Sequence, residues 1–209
     1  MLNILLVAIG ILAVTPAIKH SGLSSMDIAV YQAVLEEEIL PLNDFHCAYL
    51  DIPRPAPLIV LDRTIAICPP PPIPTDQRDC IREKSIDSFD EKDSQGQQQL
   101  FNGLIDAASR AELYRSLRER NAENHTFPGA RIEGLIYASP DGLDETRKRE
   151  EDRTVSSVAF AMPAYSSDGH ALVYLDFYCG FCCGFGGYFL LRRYEDSWHV
   201  ISHVVLWYS

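Results

Sequence analysis

Three cysteines and four glycines fall within nine residues, Cys179-Gly-Phe-Cys-Cys-Gly-Phe-Gly-Gly187. Residues of these types at this spacing suggest four chemistries. Cys179-Gly-Phe-Cys182 has the C-x-x-C form used in thiol–disulfide exchange. That reaction needs a helix N-terminus at the first cysteine, because the helix dipole stabilises the thiolate. The run that follows, Cys-Gly-Phe-Gly-Gly, is a poor helix, and no proline follows Pro163 as a thioredoxin-like chain requires. Zinc could be held by Cys179, Cys182 and Cys183, with His46, Cys47, His199 or His203 completing a tetrahedron. No second C-x-x-C supports this, and adjacent ligands at 182 and 183 are awkward. Gly184-Phe-Gly-Gly187 invites comparison with a phosphate cradle, but a strand rather than a helix follows it, and the lysine of a P-loop is missing. The reading preferred from the residues is structural: a glycine-rich turn between two strands, cross-linked by a disulfide.

Six cysteines, Cys47, Cys68, Cys80, Cys179, Cys182 and Cys183, permit many pairings, and spacing does not choose among them. The simplest bridge across the turn joins Cys179 to Cys183, since a ring between neighbours 182 and 183 would be strained. Cys68 and Cys80 flank a proline-rich loop and form a second candidate pair, which would leave Cys47 for Cys182.

A second group of polar residues lies on predicted strands: Asp62, Thr64, Asp176, His199 and His203. A hydrolase built from them needs Asp62 or Asp176 within hydrogen-bond reach of a histidine. No G-x-S-x-G or H-E-x-x-H motif focuses them. Asp62-Arg63-Thr64 reads as a hydrogen-bonding feature at a strand end. His199 and His203, four residues apart, are expected to share a strand face. The acidic run Glu36 to Glu38 reads as a solvated helix face.

Several elements must position these groups. Ser24-Ser-Met-Asp27 carries a helix N-cap signal, followed by Ile28, Tyr31, Val34, Leu35 and Ile39 at helical spacing, with Pro41 expected to stop the helix. Residues 58–68 are β-branched and predict one strand. Prolines at 53, 55, 57 and 69–72 isolate it, and residues 69–96 read as a proline-rich and then polar loop. Residues 97–120 predict a helix with Leu100, Leu104, Ala107, Ala108, Leu113 and Leu117 as its apolar stripe. Residues 132–138 suggest a further strand, and Asn124-His-Thr126 is a glycosylation sequon.

The C-terminal quarter is the most strongly patterned. Strands are predicted over 155–162, 171–178, 188–194 and 198–208. In the second, Ala171, Val173, Leu175 and Phe177 alternate with Leu172, Tyr174, Asp176 and Tyr178. Short connections at 166–169 and 195–197 make neighbours antiparallel. The expected fold is α+β, an antiparallel four-stranded C-terminal meander packed with N-terminal and central helices, within one domain over 24–209.

Composition narrows the partners. The chain has 209 residues, 47% of them hydrophobic, and a net charge of -11. Its basic residues are dispersed, which argues against nucleic acid and against anionic membrane surfaces. Ile4 to Val14 is apolar apart from Gly10, and Thr15-Pro-Ala17 supplies small residues. Residues 1–17 therefore read as a signal peptide, with a retained N-terminal anchor as the alternative. No span is expected after leader cleavage, and the location expected is periplasmic or secreted.

The C-terminal segments also resemble a group of uncharacterised bacterial exported proteins. The likeness rests on His170-Ala-Leu-Val-Tyr174, Tyr178-Cys-Gly, Cys183-Gly-Phe-Gly-Gly-Tyr188, Leu190-Leu-Arg-Arg, Trp198-His-Val and Leu206-Trp-Tyr-Ser209. Ile28-Ala-Val-Tyr31 and Val60-Leu-Asp-Arg-Thr64 add weaker matches, and Cys182 stands where the group has leucine. The resemblance implies an exported α+β domain and names no reaction. It also implies pairing of the matching cysteines, Cys179 and Cys183.

The leading functional expectation is a non-catalytic, disulfide-stapled cell-envelope domain that binds a protein or small ligand, with no cofactor and no metal. Phe177, Tyr178, Phe181, Phe185, Tyr188 and Phe189 form its candidate contact patch. The alternatives are the hydrolase above and a thiol redox or zinc protein using Cys179, Cys182 and Cys183.

Overall fold

The computed structural model describes residues 23–43, 58–68, 80–81, 101–127, 132, 134–143, 145–146, 155–179 and 183–209. The leader at 1–17, Cys47, most of the 69–96 loop, Phe181 and Cys182 lie outside these residues, and Cys183 is described in its backbone only.

The fold is α+β. A seven-stranded mixed sheet has the order β4-β1-β5-β7-β8-β9, with β6 paired to β7. The strands are β1 (Leu58–Leu61), β4 (Ile136–Ala138), β5 (Ser156–Phe160), β6 (Ala164–Tyr165), β7 (His170–Cys179), β8 (Cys183–Tyr194) and β9 (Ser197–Tyr208). The C-terminal strands are antiparallel, while β1 runs parallel to both β4 and β5. The sheet is thus larger than a four-stranded meander. The three extra strands come from residues 58–61, 136–138 and 164–165; β1 is buried between β4 and β5, and β4 lies at the end of the strand order.

Residues 58–68 do not form the single strand expected. Asp62 bends the chain after β1, and β2 (Ala66–Ile67) pairs with β3 (Cys80–Ile81) in a separate parallel sheet. Cys68 and Cys80 are joined by a disulfide next to this pair, and Cys68 N–H also donates to the Ile81 carbonyl at 2.9 Å. A cross-link of this length typically contributes about 2–4 kcal/mol, and it holds a two-rung ladder too short to persist alone.

Alternation along β7 divides the core between the sheet's two faces. Val173, Leu175 and Phe177 face the N-terminal helix α1 (Ser25–Val34), whose Val30, Val34 and following Leu35 and Ile39 join the same cluster. Leu172 and Tyr174 face the other way, against Leu113 and Leu117 of α2 (Ala107–Arg120). The helix expected from residue 97 begins only after Asp106, its N-cap. Gly103 (φ 80°) and Phe101 (φ 60°) turn the preceding chain. Ser109, Arg110, Leu113 and Leu117 are buried, whereas Leu104, Ala107 and Ala108 are exposed. Two small residues at 107 and 108 gain little by burial, so the packed face follows the leucines further along. Among the described residues no helix is long and apolar enough to cross a membrane.

Pro41 does not stop the first helix. A π-helical turn spans Leu35–Ile39, and helical structure continues to Asn43. In an α-helix a proline ring meets the carbonyl four residues back. The wider π turn, in which Leu40 N–H reaches Leu35 O, relieves that clash.

The glycines after Cys183 sit inside strand β8 rather than in a turn. None of Gly184, Gly186 and Gly187 has positive φ; close approach is what demands them. A Cβ at Gly186 would collide with Trp207 Nε1 and Asp176 Oδ1, and one at Gly187 with the Val204 carbonyl. The β8–β9 register shifts between these two glycines.

Asp27 links the layers. Its carboxylate is fully buried and closes a capping box with Ser24. It also pairs with Arg120 at 2.9 Å and accepts from Tyr165 Oη at 2.8 Å. Arg120 Nη1 donates to Pro163 O at 2.7 Å, and its guanidinium lies 5.1 Å from the Tyr165 ring centroid. Beside it, buried Asn121 donates to Leu117 O and Met162 O and accepts from Met162 N–H. Tyr31 Oη donates to Ala161 O at 3.0 Å. Burial, and then the Asp27 charge, raises the Tyr31 and Tyr165 phenols well above their ordinary value, so both remain donors.

Asp27→Ala is expected to lower stability by about 3 kcal/mol, because it takes the carboxylate partner from a partly buried guanidinium and from the Tyr165 phenol while removing a cap. Urea unfolding measures this; a loss below about 1 kcal/mol would show that the network is peripheral to stability.

Candidate functional site

At the end of the sheet near Cys179, the π turn and the segment after it stand off from β8 and β9. They leave a cavity of about 350 Å³. Ile39, Leu42, Phe185, Phe189 and Val205 give it apolar walls, and Glu38, His203, Tyr208 and Ser209 add polar groups. Cys179 and Gly184 close the sheet end.

The acidic run forms part of this site. Glu36 and Glu37 are exposed, as a solvated face requires, while Glu38 is partly buried, and the Glu37 and Glu38 carboxylates lie against β9. His199 Nδ1 lies 2.9 Å from Glu37 Oε1, and Val200 N–H donates to Glu37 Oε2 at 2.8 Å. His203 Nδ1 lies 3.7 Å from Glu38 Oε2, and its ring packs 5.5 Å from Phe189. Both histidines therefore face the N-terminal helical segment. The β8–β9 register also shifts between Leu190 and Leu191, which lie opposite Ser202 and Val200.

The aromatic patch separates into three parts. Phe177, Tyr188 and Phe189 are buried, Tyr178 is exposed, and Phe185 with Phe189 lines the cavity. Phe181 is outside the described residues.

The aspartates take no part in the histidine cluster. Asp176 lies on the opposite face of the sheet, where Tyr174 Oη donates to it at 2.7 Å and Trp207 Nε1 donates to Tyr174 at 3.1 Å. Burial, and then the Asp176 charge, raises the Tyr174 phenol, which stays a donor. Asp62 contributes backbone links, its N–H to Ala138 O and its carbonyl to Phe127 N–H. Thr64 is buried, with Oγ1 accepting from His125 N–H at 2.8 Å, so 62–64 is a strand-end clasp. Among the described residues, neither Asp62 nor Asp176 is seen paired with His199 or His203.

Nor is Cys179 a free thiol. It is buried and disulfide-bonded, with its partner sulfur outside the described side chains. A sulfur already bonded to sulfur is not a thiolate ligand for zinc, whereas a disulfide is the oxidised form of a thiol–disulfide couple. Cys182 is outside the described residues.

One Asp–His contact went unnoticed in the sequence. His170 Nδ1 lies 2.9 Å from Asp168 Oδ2, which also accepts from Ser109 Oγ at 2.7 Å, while Ser166 Oγ donates to Oδ1 at 2.5 Å. The residue types suggest a triad, but the connectivity does not. Ser109 bonds the carboxylate, and His170 Nε2 is buried without a hydrogen-bond partner among the described residues. The cluster pins the 166–169 turn to the first turn of α2, where Ser167 also binds Glu112. The turn signal at 166–169 was legible in the sequence, but contact with a helix about sixty residues earlier was not.

Burial raises the Asp168 carboxyl, but the hydrogen bonds from Ser166, His170 and Ser109 outweigh it and hold the group well below the usual carboxylate range. The unfolded chain then binds a proton more readily than the folded one, so the stabilisation is present above the unfolded value, about 3.9, and is lost as pH falls through the folded value. The stability gap between the wild type and Asp168→Asn should shrink as pH falls from about 5 through about 4 and below. Chemical denaturation across that range measures it, and a gap that widens in acid would reverse the assignment.

No family model, curated protein or solved structure matches the chain.

Proposed function

We propose that the chain is a non-catalytic, disulfide-stapled extracytoplasmic binding domain that takes a small, largely apolar ligand in the cavity beside β8 and β9. The observation that carries this reading is the cavity itself. Its size falls in the range of ligand pockets, it has apolar walls, and a few polar groups converge on it. The π turn forming one wall is a device that often re-aims side chains at functional sites.

Export is supported by the Cys68–Cys80 disulfide, which persists in oxidising compartments, and by the apolar leader sequence. We read β5, β7, β8 and β9 as the meander shared with the exported proteins that the C-terminal motifs resemble. Cys179 and Cys183 lie opposite each other in the β7–β8 register, which supports their pairing. Such a bridge would hold the sheet end against which the cavity is built.

Two experiments test the proposal. Thermal unfolding against a library of small amphiphilic compounds should find ligands that raise the midpoint of the wild type. Leu42→Trp, which fills the cavity from its helical wall, should abolish those shifts while far-UV circular dichroism is retained. Equal shifts in both proteins would place binding elsewhere. Intact mass of the exported protein, with and without reduction and alkylation, should show loss of the leader and protected cysteines. Free thiols around 179–183 would instead revive the redox and zinc alternatives.

A further inference from the structure

We infer that the cavity selects an organic cation, an alkylated ammonium carried on an apolar body. This deepens the proposed function and rests on the cavity being a binding site.

Three features of the lining point the same way. First, Glu38 is the one carboxylate side chain among the described lining residues, and none of these is Lys or Arg. Its side chain is about one-third exposed (32%), so it is partly desolvated while still facing the opening. The 3.7 Å separation from His203 Nδ1 is beyond hydrogen-bond range, which leaves the carboxylate's accepting capacity available to a ligand.

Second, the rings on the wall form a continuous row. Phe185 and Phe189 are 6.5 Å apart by centroid, and Phe189 and His203 are 5.5 Å apart. Tyr208, exposed over most of its surface, adds a fourth ring at the rim. Aromatic faces carry negative potential, and a cation within about 6 Å of a centroid is attracted to them.

Third, the other charge classes are disfavoured by the same groups. An anion would be buried against the Glu38 carboxylate, with no Lys or Arg among the described lining residues and with His203 already paired to Glu38. A neutral apolar ligand would cover Glu38 and remove its water without replacing the lost hydrogen bonds. A quaternary ammonium donates no hydrogen bond, but its positive charge offsets the desolvated Glu38 carboxylate and its methyl groups suit the aromatic wall. The net charge of -11 also raises the local concentration of cations.

The test compares ligands of one shape and different charge. Benzyltrimethylammonium, its neutral carbon isostere neopentylbenzene and the anion benzenesulfonate would each be titrated into the full exported chain, with binding followed by NMR chemical shifts. The cation should bind the wild type about tenfold more tightly than the neutral isostere, and the anion should not bind measurably. Glu38→Gln should weaken the cation about tenfold and leave the isostere unchanged.

The inference fails if the isostere or the anion binds the wild type as tightly as the cation, or if Glu38→Gln leaves the preference intact. Isostere binding as tight as the cation's, and abolished by Leu42→Trp, would overturn cation selectivity while leaving the pocket standing. If none of the probes binds the wild type, the cation inference falls with the pocket reading.

Discussion

A carboxylate with no exposure to water is tolerable only where its charge and lone pairs are answered, and Asp27 is placed where the answers come from three parts of the chain. Ser24 closes the first turn of α1 on it, Arg120 approaches from the end of α2, and Tyr165 reaches it from β6. The two helices pack on opposite faces of the sheet, and β6 belongs to the sheet itself. Hydrophobic burial draws each helix to its face, but burial is non-directional and would tolerate sliding. The hydrogen bonds at Asp27, with those of Asn121 to Met162 and Tyr31 to Ala161, fix where along the sheet each helix sits.

The cavity inherits that placement. From Asp27 the helix runs through Val30, Tyr31 and Val34, all buried, into the π turn that presents Glu37 and Glu38 to β9. A displaced helix would present a different side chain to His203. On the sheet side, the glycines of β8 let β9 come close enough for Trp207 to meet Tyr174 across the opposite face. The cavity is thus bounded by one helix held in place at its far end and two strands brought together by missing side chains.

Much of the scaffold was legible in the sequence because its signals are local. The cap at Ser24 and Asp27, the alternation along 171–178 and the turn at 166–169 depend on residues a few positions apart, and the structure shows all three. The parallel pairing of 58–61 with 136–138 and 156–160 was not legible, since no short-range pattern records which distant strand a buried run will join. Pro41 misled because the rule it follows assumes an α-helical register, which a π turn changes. Asp27 was read only as part of a helix start, and Arg120 drew no notice, because charges look solvated until tertiary contacts bury them. For the site, His199 and His203 were singled out in the sequence, but their partners were not. Glu37 and Glu38 looked like a solvent face, and nothing local tied them to a strand about 160 residues later.

Strand β9 is the last in the strand order, and among the described residues no strand pairs with its outer backbone groups. Such an edge is a template on which another chain can add a strand. Glu37 occupies the Val200 amide, and the helical segment overhangs the same edge. The acidic turn therefore has a protective consequence apart from any ligand. It keeps one rung of the edge engaged and places negative charge where an incoming strand would have to lie, so that a chain lacking this turn would be more prone to edge-to-edge association than to simple unfolding.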